Sequence, residues 1–146
     1  MTQVSIIGQG YVGLTIASFA ADHHKVIGFD NGKAVVESLN AGISHIEGVS
    51  SETLQSHIST GKYLATSDPE LLANSEIVVI AVPTPLDSSG LPDLELLKSA
   101  CDSVAPFMSE KTLVINESTS YIGTLRNLIK PTIDKLSSAK KIMYAV

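Results

Sequence analysis

The sequence predicts an α/β domain on a doubly wound parallel sheet, about six strands in the order 3-2-1-4-5-6 with helices on both faces. Three observations carry that prediction. Short apolar runs alternate with helix-like stretches six times along the 146 residues, which is the rhythm of strand and crossover helix. The strongest run, Ile77-Val78-Val79-Ile80-Ala81-Val82, is apolar without alternation, as a parallel strand buried on both faces must be. The first run ends in Gly8-Gln9-Gly10 and passes directly into a helical pattern, the turn that opens a nucleotide-binding βαβ unit.

Taken in order, residues 4–7 form the first strand, and residues 11–21, rich in alanine, form the first helix. Val26-Ile27-Gly28-Phe29 is the second strand, closed by Asp30. A helix over residues 33–40 stops at Gly42, a suitable left-handed terminator. A shorter helix falls near 51–58 and a weaker strand at 62–66. Asp68-Pro69 opens a short helix, because proline suits the first helical position and aspartate accepts from the unpaired amides. The fourth strand spans 77–82 and is stopped by Pro83-Thr84-Pro85. Pro92 starts the next helix, with Leu94, Leu97, Cys101 and Val104 on one face. Residues 113–116 are the fifth strand and 123–136 a helix bent at Pro131. A solvated turn at Lys140-Lys141 precedes the sixth strand, 142–146.

Composition narrows the function. With 44% hydrophobic and 17% charged residues the chain suits a single folded domain, 1–146, and not a disordered one. One cysteine excludes a disulfide scaffold and fits a reducing compartment. No stretch approaches the roughly 20 apolar residues of a membrane span, and the first residues lack the basic start of a signal peptide. A formal charge of −5 argues against nucleic-acid binding. The expectation is a cytoplasmic domain that handles small molecules. The four histidines lack metal-ligand spacing, so no metal site is expected. Neither a Gly-x-Ser-x-Gly elbow nor a Walker loop occurs.

Three segments carry the chemistry. In Gly8-Gln9-Gly10-Tyr11-Val12-Gly13 the three glycines serve different ends. Gly8 permits the tight turn, Gly10 admits a pyrophosphate, and Gly13 lets helix and strand approach. The helix start beyond offers free amides and a positive dipole end. Asp30 ends the second strand, where a carboxylate accepts from ribose hydroxyls and repels a 2′-phosphate, which favours NAD over NADP. A helix cap is the plainer role for Asp30, and the two are compatible. Lys33 nearby is a solvated residue at a helix start. The second segment is Ala81-Val82-Pro83-Thr84-Pro85, at the crevice where the strand order reverses; the third is Asn116-Glu117-Ser118-Thr119-Ser120, on the same sheet edge. Without a ligand these would be a strand-ending turn and a cap cluster for the following helix.

Together the segments resemble the NAD-binding, Rossmann-type domain of the UDP-glucose/GDP-mannose dehydrogenase family. The marks are Val4-Ser5-Ile6-Ile7 through Leu14, Gly28-Phe29-Asp30, Leu39-Asn40-Ala41-Gly42, Val82-Pro83-Thr84-Pro85-Leu86, Pro92-Asp93-Leu94 and Glu117-Ser118-Thr119. Ser44-His45-Ile46-Glu47 further resembles the branch acting on UDP-N-acetylhexosamines. The resemblance implies an enzyme that oxidises a sugar primary alcohol to a carboxylate in two NAD-dependent steps, through a cysteine thiohemiacetal and thioester that water releases. It implies cofactor contacts from Gly8, Gly10, Tyr11, Val12, Gly13, Asp30, Val82, Pro83, Thr84, Ser118 and Thr119, with Thr119 also positioning the hydrolytic water. It also implies a role in polysaccharide biosynthesis and a full-length homodimer, of which this fragment alone is a candidate monomer.

The departures are as informative. The family's catalytic cysteine, lysine and asparagine have no counterpart among these residues, and Cys101 belongs to a helix's apolar stripe and so to the core. Val35 stands where many members carry a basic residue, and Ile122 where proline is common. The chain stops inside a strand, as an expressed domain or fragment of a larger enzyme does, and is expected to bind NAD without catalysis. Two alternatives remain at this point: a stand-alone NAD-binding sensor, and the cofactor domain of a β-hydroxyacid dehydrogenase of the 6-phosphogluconate type.

Overall fold

The structure, a computed structural model, describes residues 1–139 and 141–146. Of the turn expected at Lys140-Lys141, Lys140 lies outside the described residues. Six strands, β1 (Gln3–Ile7), β2 (Lys25–Phe29), β3 (Tyr63–Thr66), β4 (Ile77–Ile80), β5 (Leu113–Asn116) and β6 (Met143–Ala145), form one sheet. Their order is β3-β2-β1-β4-β5-β6 and every pairing is parallel. The helices are α1 (Tyr11–Ala21), α2 (Lys33–Asn40), α3 (Ser51–Ser59), α4 (Glu95–Val104) and α5 (Lys130–Leu136). The doubly wound topology expected from the sequence is the one observed.

Strand side chains alternate between two cores, as the two-residue pleat requires. Val4, Ile6, Val26 and Val79 face one cluster with Leu14 and Ala17 of α1, Leu39 of α2 and Leu54 of α3. Ile7, Ile27, Phe29, Val78 and Ile80 face the other, with Leu97, Cys101 and Val104 of α4 and Ile133 of α5. α1 buries Gly13, Leu14, Ala17, Ser18 and Ala21 and leaves the apolar Tyr11, Val12 and Phe19 exposed. It is sandwiched between the sheet and α3.

Several boundaries differ from expectation, each for a local reason. β4 stops at Ile80. Ala81 still donates to Ile7 O at 2.8 Å, but the Val82 amide leaves the ladder for Ser118 Oγ at 3.0 Å, and Pro83 has no amide to give. α4 begins at Glu95, not at Pro92. Pro92 instead bridges Leu86 in a small antiparallel hairpin, closed by Asp93 N donating to Pro85 O at 2.7 Å. The Asp93 carboxylate then accepts from Glu95 N at 2.9 Å. The short helix at Pro69–Leu72 is a 3₁₀ turn, and Asp68 accepts from Glu70 N as its cap. Before α5 the chain takes a π turn over Leu125–Ile129. Pro131 causes the irregularity there: it lacks an amide and its ring would press on the carbonyl four residues earlier.

α2 ends as its sequence predicts. Gly42, at φ +74°, lets Ile43 N reach Ser38 O (3.0 Å) and Gly42 N reach Leu39 O (2.9 Å), the paired bonds of a Schellman terminus. Among the described residues no helix is long and apolar enough to cross a membrane.

Candidate functional site

The carboxyl ends of β1, β2 and β4 meet at Gly8, which is held at φ +91°. A Cβ on Gly8 would lie 2.7 Å from Ala81 O, so the turn and the β1–β4 contact both need glycine. A Cβ on Gly13 would fall onto the Gly8 carbonyl oxygen, which sets how closely α1 sits on its strand. Gly10 differs. Its φ is −75° and a Cβ there would meet nothing within 4 Å. The folded chain makes no use of the missing side chain, so the space beside it is left for something else.

That space lies at the start of α1. No side chain caps this helix, and the first amides of a helix have no acceptor within it. Tyr11 and Val12 are 64% and 52% exposed there. Nearby, Asp30 Oδ2 accepts from Gln9 N and Oδ1 from Gly32 N, both at 2.8 Å. Asp30 is therefore not the cap of α2, which is Gly32. It closes a local turn while its charge stays at the crevice. Lys33 is exposed, and Val35 is partly buried against the α1 side of the core, away from the crevice lining.

One cavity of about 460 Å³ is lined by Gly8, Gly10, Tyr11, Val12, Asp30, Val82, Pro83, Thr84, Ser118 and Thr119. These are ten of the eleven residues expected from the sequence; the eleventh, Gly13, lies beneath the turn. Ala81 and Glu117 complete the lining. Ser118 is buried and its hydroxyl is committed as acceptor of the Val82 amide. Asn116 braces the same loop, donating from Nδ2 to Ser118 O at 3.0 Å. The cluster 116–120 is thus a clamp between β4 and β5 and not a cap, because the following helix begins only beyond Thr124. The other hydroxyl-bearing residues of the lining are Tyr11, Thr84 and Thr119.

Sequence reasoning missed the other end of the crevice. A second cavity of about 200 Å³ shares Gly8, Asp30, Val82 and Pro83 with the first. Ile7, Phe29, Asn31, Leu96, Ser99 and Ala100 extend it into a mostly apolar slot. Leu96 and Ser99 lie off the buried stripe of α4 and Ala100 on it, and only the spatial order β2-β1-β4 brings them opposite Asn31. Cys101 is fully buried and its thiol is pushed up to about 12, chiefly by burial and then by Asp102; it packs in the core. Among the described residues no three His, Cys, Asp or Glu side chains gather as a metal site would need.

An apolar slot, a carboxylate, an uncapped helix start beside an open glycine, and hydroxyls beyond: in that sequence they fit an adenine, a ribose, a pyrophosphate and a polar head group. Fold and crevice together define a dinucleotide-binding domain. The chain belongs to the UDP-glucose/GDP-mannose dehydrogenase family, whose NAD binding domain matches residues 2–146. It is 32% identical over 134 residues to protein CapL of Staphylococcus aureus, covering 92% of this chain and 31% of that protein. It is 35% identical over 130 residues to the UDP-N-acetyl-D-mannosamine dehydrogenase of Pyrococcus horikoshii, covering 88% of this chain and 31% of that enzyme. Among solved structures it superposes on a ternary complex of GDP-mannose dehydrogenase from Pseudomonas aeruginosa with TM-score 0.89 at 30% identity. That match covers 97% of this chain and 34% of the other. The chain therefore spans about a third of the length of the relatives it matches. Family membership sets aside the 6-phosphogluconate-type reading.

Proposed function

We propose that this chain is the cofactor domain, residues 1–146, of an NAD-dependent nucleotide-sugar dehydrogenase that oxidises the primary alcohol of a UDP-sugar to a carboxylate in two steps. One observation carries the reading: ten residues from four separated stretches of the chain converge on a single cavity at the reversal point of the sheet. Bound NAD supplies the hydride acceptor. The chain's own residues bind and orient it. The first amides of α1 and the open face of Gly10 hold the pyrophosphate, Asp30 takes the adenosine ribose, and the slot between Phe29 and Leu96 takes the adenine. Val82, Pro83 and Thr84 wall the middle of the crevice, and Thr119, exposed at its mouth, orients the hydrolytic water. Cys101 is buried in the core, so the catalytic thiol comes from outside these residues, and this chain alone binds the cofactor and places that water without completing the reaction.

The UDP-N-acetylhexosamine branch is the substrate class we favour. Relatives named as UDP-N-acetyl-D-mannosamine dehydrogenases support it, as does the Ser44-His45-Ile46-Glu47 segment. That segment runs into Gly48, which lies against the hydroxyl end of Tyr11, itself part of the cavity wall. Polysaccharide biosynthesis in the cytoplasm and a homodimeric full-length enzyme belong to the same reading.

Thermal unfolding with NAD and, separately, with NADP tests the cofactor reading. At about 100 times its dissociation constant a ligand adds about 2.7 kcal/mol to the folded state, a shift of roughly 5 to 10 °C for a domain of this size. NAD should produce that shift and NADP should not. A shift with NADP alone would overturn the role of Asp30.

A further inference from the structure

Gln9 holds the middle position of the Gly8-Gln9-Gly10 turn, yet none of it is exposed. Its side chain folds back beneath the turn. Nε2 donates to Ile6 O at 2.9 Å and to Gly8 O at 3.2 Å, and Oε1 accepts from the Tyr63 hydroxyl at 2.8 Å. Its own backbone amide donates to Asp30 Oδ2 at 2.8 Å. A single residue therefore joins β3, at the edge of the sheet, to the carboxylate at the crevice.

Gly28 marks where this connection passes over β2. A Cβ on Gly28 would lie 2.5 Å from Gln9 Oε1 and 2.6 Å from the Tyr63 hydroxyl. Glycine inside a strand weakens it, and is retained where another group must come close. Tyr63 is 3% exposed. Burial, and then the Asp30 charge, push its hydroxyl far above the usual phenol range, so it remains a donor. Neither Gln9 nor Tyr63 lines the cavity.

We propose that Tyr63, acting through Gln9, is a positioning residue for the adenosine ribose. The buried hydroxyl–amide bond fixes the plane of the Gln9 peptide, and that peptide's N–H fixes the Asp30 carboxylate that meets the ribose 2′-hydroxyl. This inference rests on the cofactor reading above.

Calorimetric titration with NAD and with its adenosine 2′-deoxy analogue tests it. The proteins are the unaltered chain, Tyr63→Phe, and the double variant Tyr63→Phe/Gln9→Met, each also followed by thermal unfolding. Tyr63→Phe leaves Gln9 Oε1 buried without a donor and unfolds a few degrees early. Its NAD affinity falls about tenfold, equivalent to about 1.4 kcal/mol. Affinity for the 2′-deoxy analogue, which has no hydroxyl to lose, changes less than twofold. The double variant removes the orphaned Oε1, though Ile6 O and Gly8 O lose the Nε2 donor, so it regains part of the lost melting temperature, yet keeps the weakened NAD binding. A merely structural role predicts the opposite: both ligands weaken together, and both recover with stability in the double variant. That outcome, or unchanged NAD affinity in folded Tyr63→Phe, overturns the proposal. If the unaltered chain binds neither ligand, the cofactor reading falls first and this one with it.

Discussion

Replacing Gly10 by alanine separates what the fold needs from what the ligand needs. The backbone there has φ −75°, open to any residue, and the added methyl would touch nothing within 4 Å. Two small effects on stability oppose each other. Alanine restricts the unfolded chain and so stabilises by about 0.4–1 kcal/mol. It is also a poorer helix cap than glycine, which costs about 0.5–1 kcal/mol. They nearly cancel. Unfolding entropy for 146 residues is about 0.3 kcal/mol per degree, so the melting temperature should move by no more than about 2 °C. In the proposed complex the same methyl stands where the pyrophosphate approaches the helix start, and overpacking of that kind costs about 1–3 kcal/mol. NAD should bind roughly 5- to 150-fold more weakly. Differential scanning calorimetry of the free chain and titration with NAD read the two halves independently. A melting temperature lowered by 5 °C or more, or an NAD affinity unchanged in the variant, would refute the reasoning.

Gly8→Ala should behave in the opposite way. A left-handed alanine costs about 1–2 kcal/mol, and its Cβ lies 2.7 Å from the Ala81 carbonyl, so the free chain should melt roughly 10 °C lower. Ser118→Ala removes the acceptor of the Val82 amide and should cost about 1 kcal/mol, read by urea unfolding; no loss would mean that water replaces the clamp freely. Alkaline stability should depend on Cys101. Its folded pKa is raised from 9.0 to about 12, so its contribution is complete below pH 9 and is lost as pH rises toward 12. The slope should be up to about 1.4 kcal/mol per pH unit, flattened in Cys101→Ala when unfolding is compared at pH 8, 9.5 and 11.

Patterning made the sheet legible because its central strands β1, β2 and β4 are buried on both faces, which leaves nearly uninterrupted apolar runs. The glycine turn and Asp30 were legible because the backbone allows few alternatives there. Boundaries were harder wherever a side chain took over from the ladder. Ser118, 36 residues away, ends β4 at Ile80 by capturing the Val82 amide, and no local pattern announces that. Pro92 suits a helix start, yet its partner Leu86 draws it into a hairpin. Leu96, Ser99 and Ala100 were invisible as site residues because their place opposite Asn31 depends on strand order and not on spacing. Gln9 was hidden for another reason. It stands at a position where the turn itself asks for nothing, and its partner Tyr63 is 54 residues away on another strand.

The hairpin after Pro85 has a consequence for how such a protein diversifies. Its two ends are clasped by the bond from Asp93 N to Pro85 O, and residues 86–91 are all exposed. A loop anchored in this way can be lengthened at little cost, about 0.6 kcal/mol for each doubling, while the sheet beneath stays in register. It leaves the chain one residue after Thr84, at the rim of the cavity. New contacts can therefore be grafted there as an insertion, with the cofactor crevice untouched.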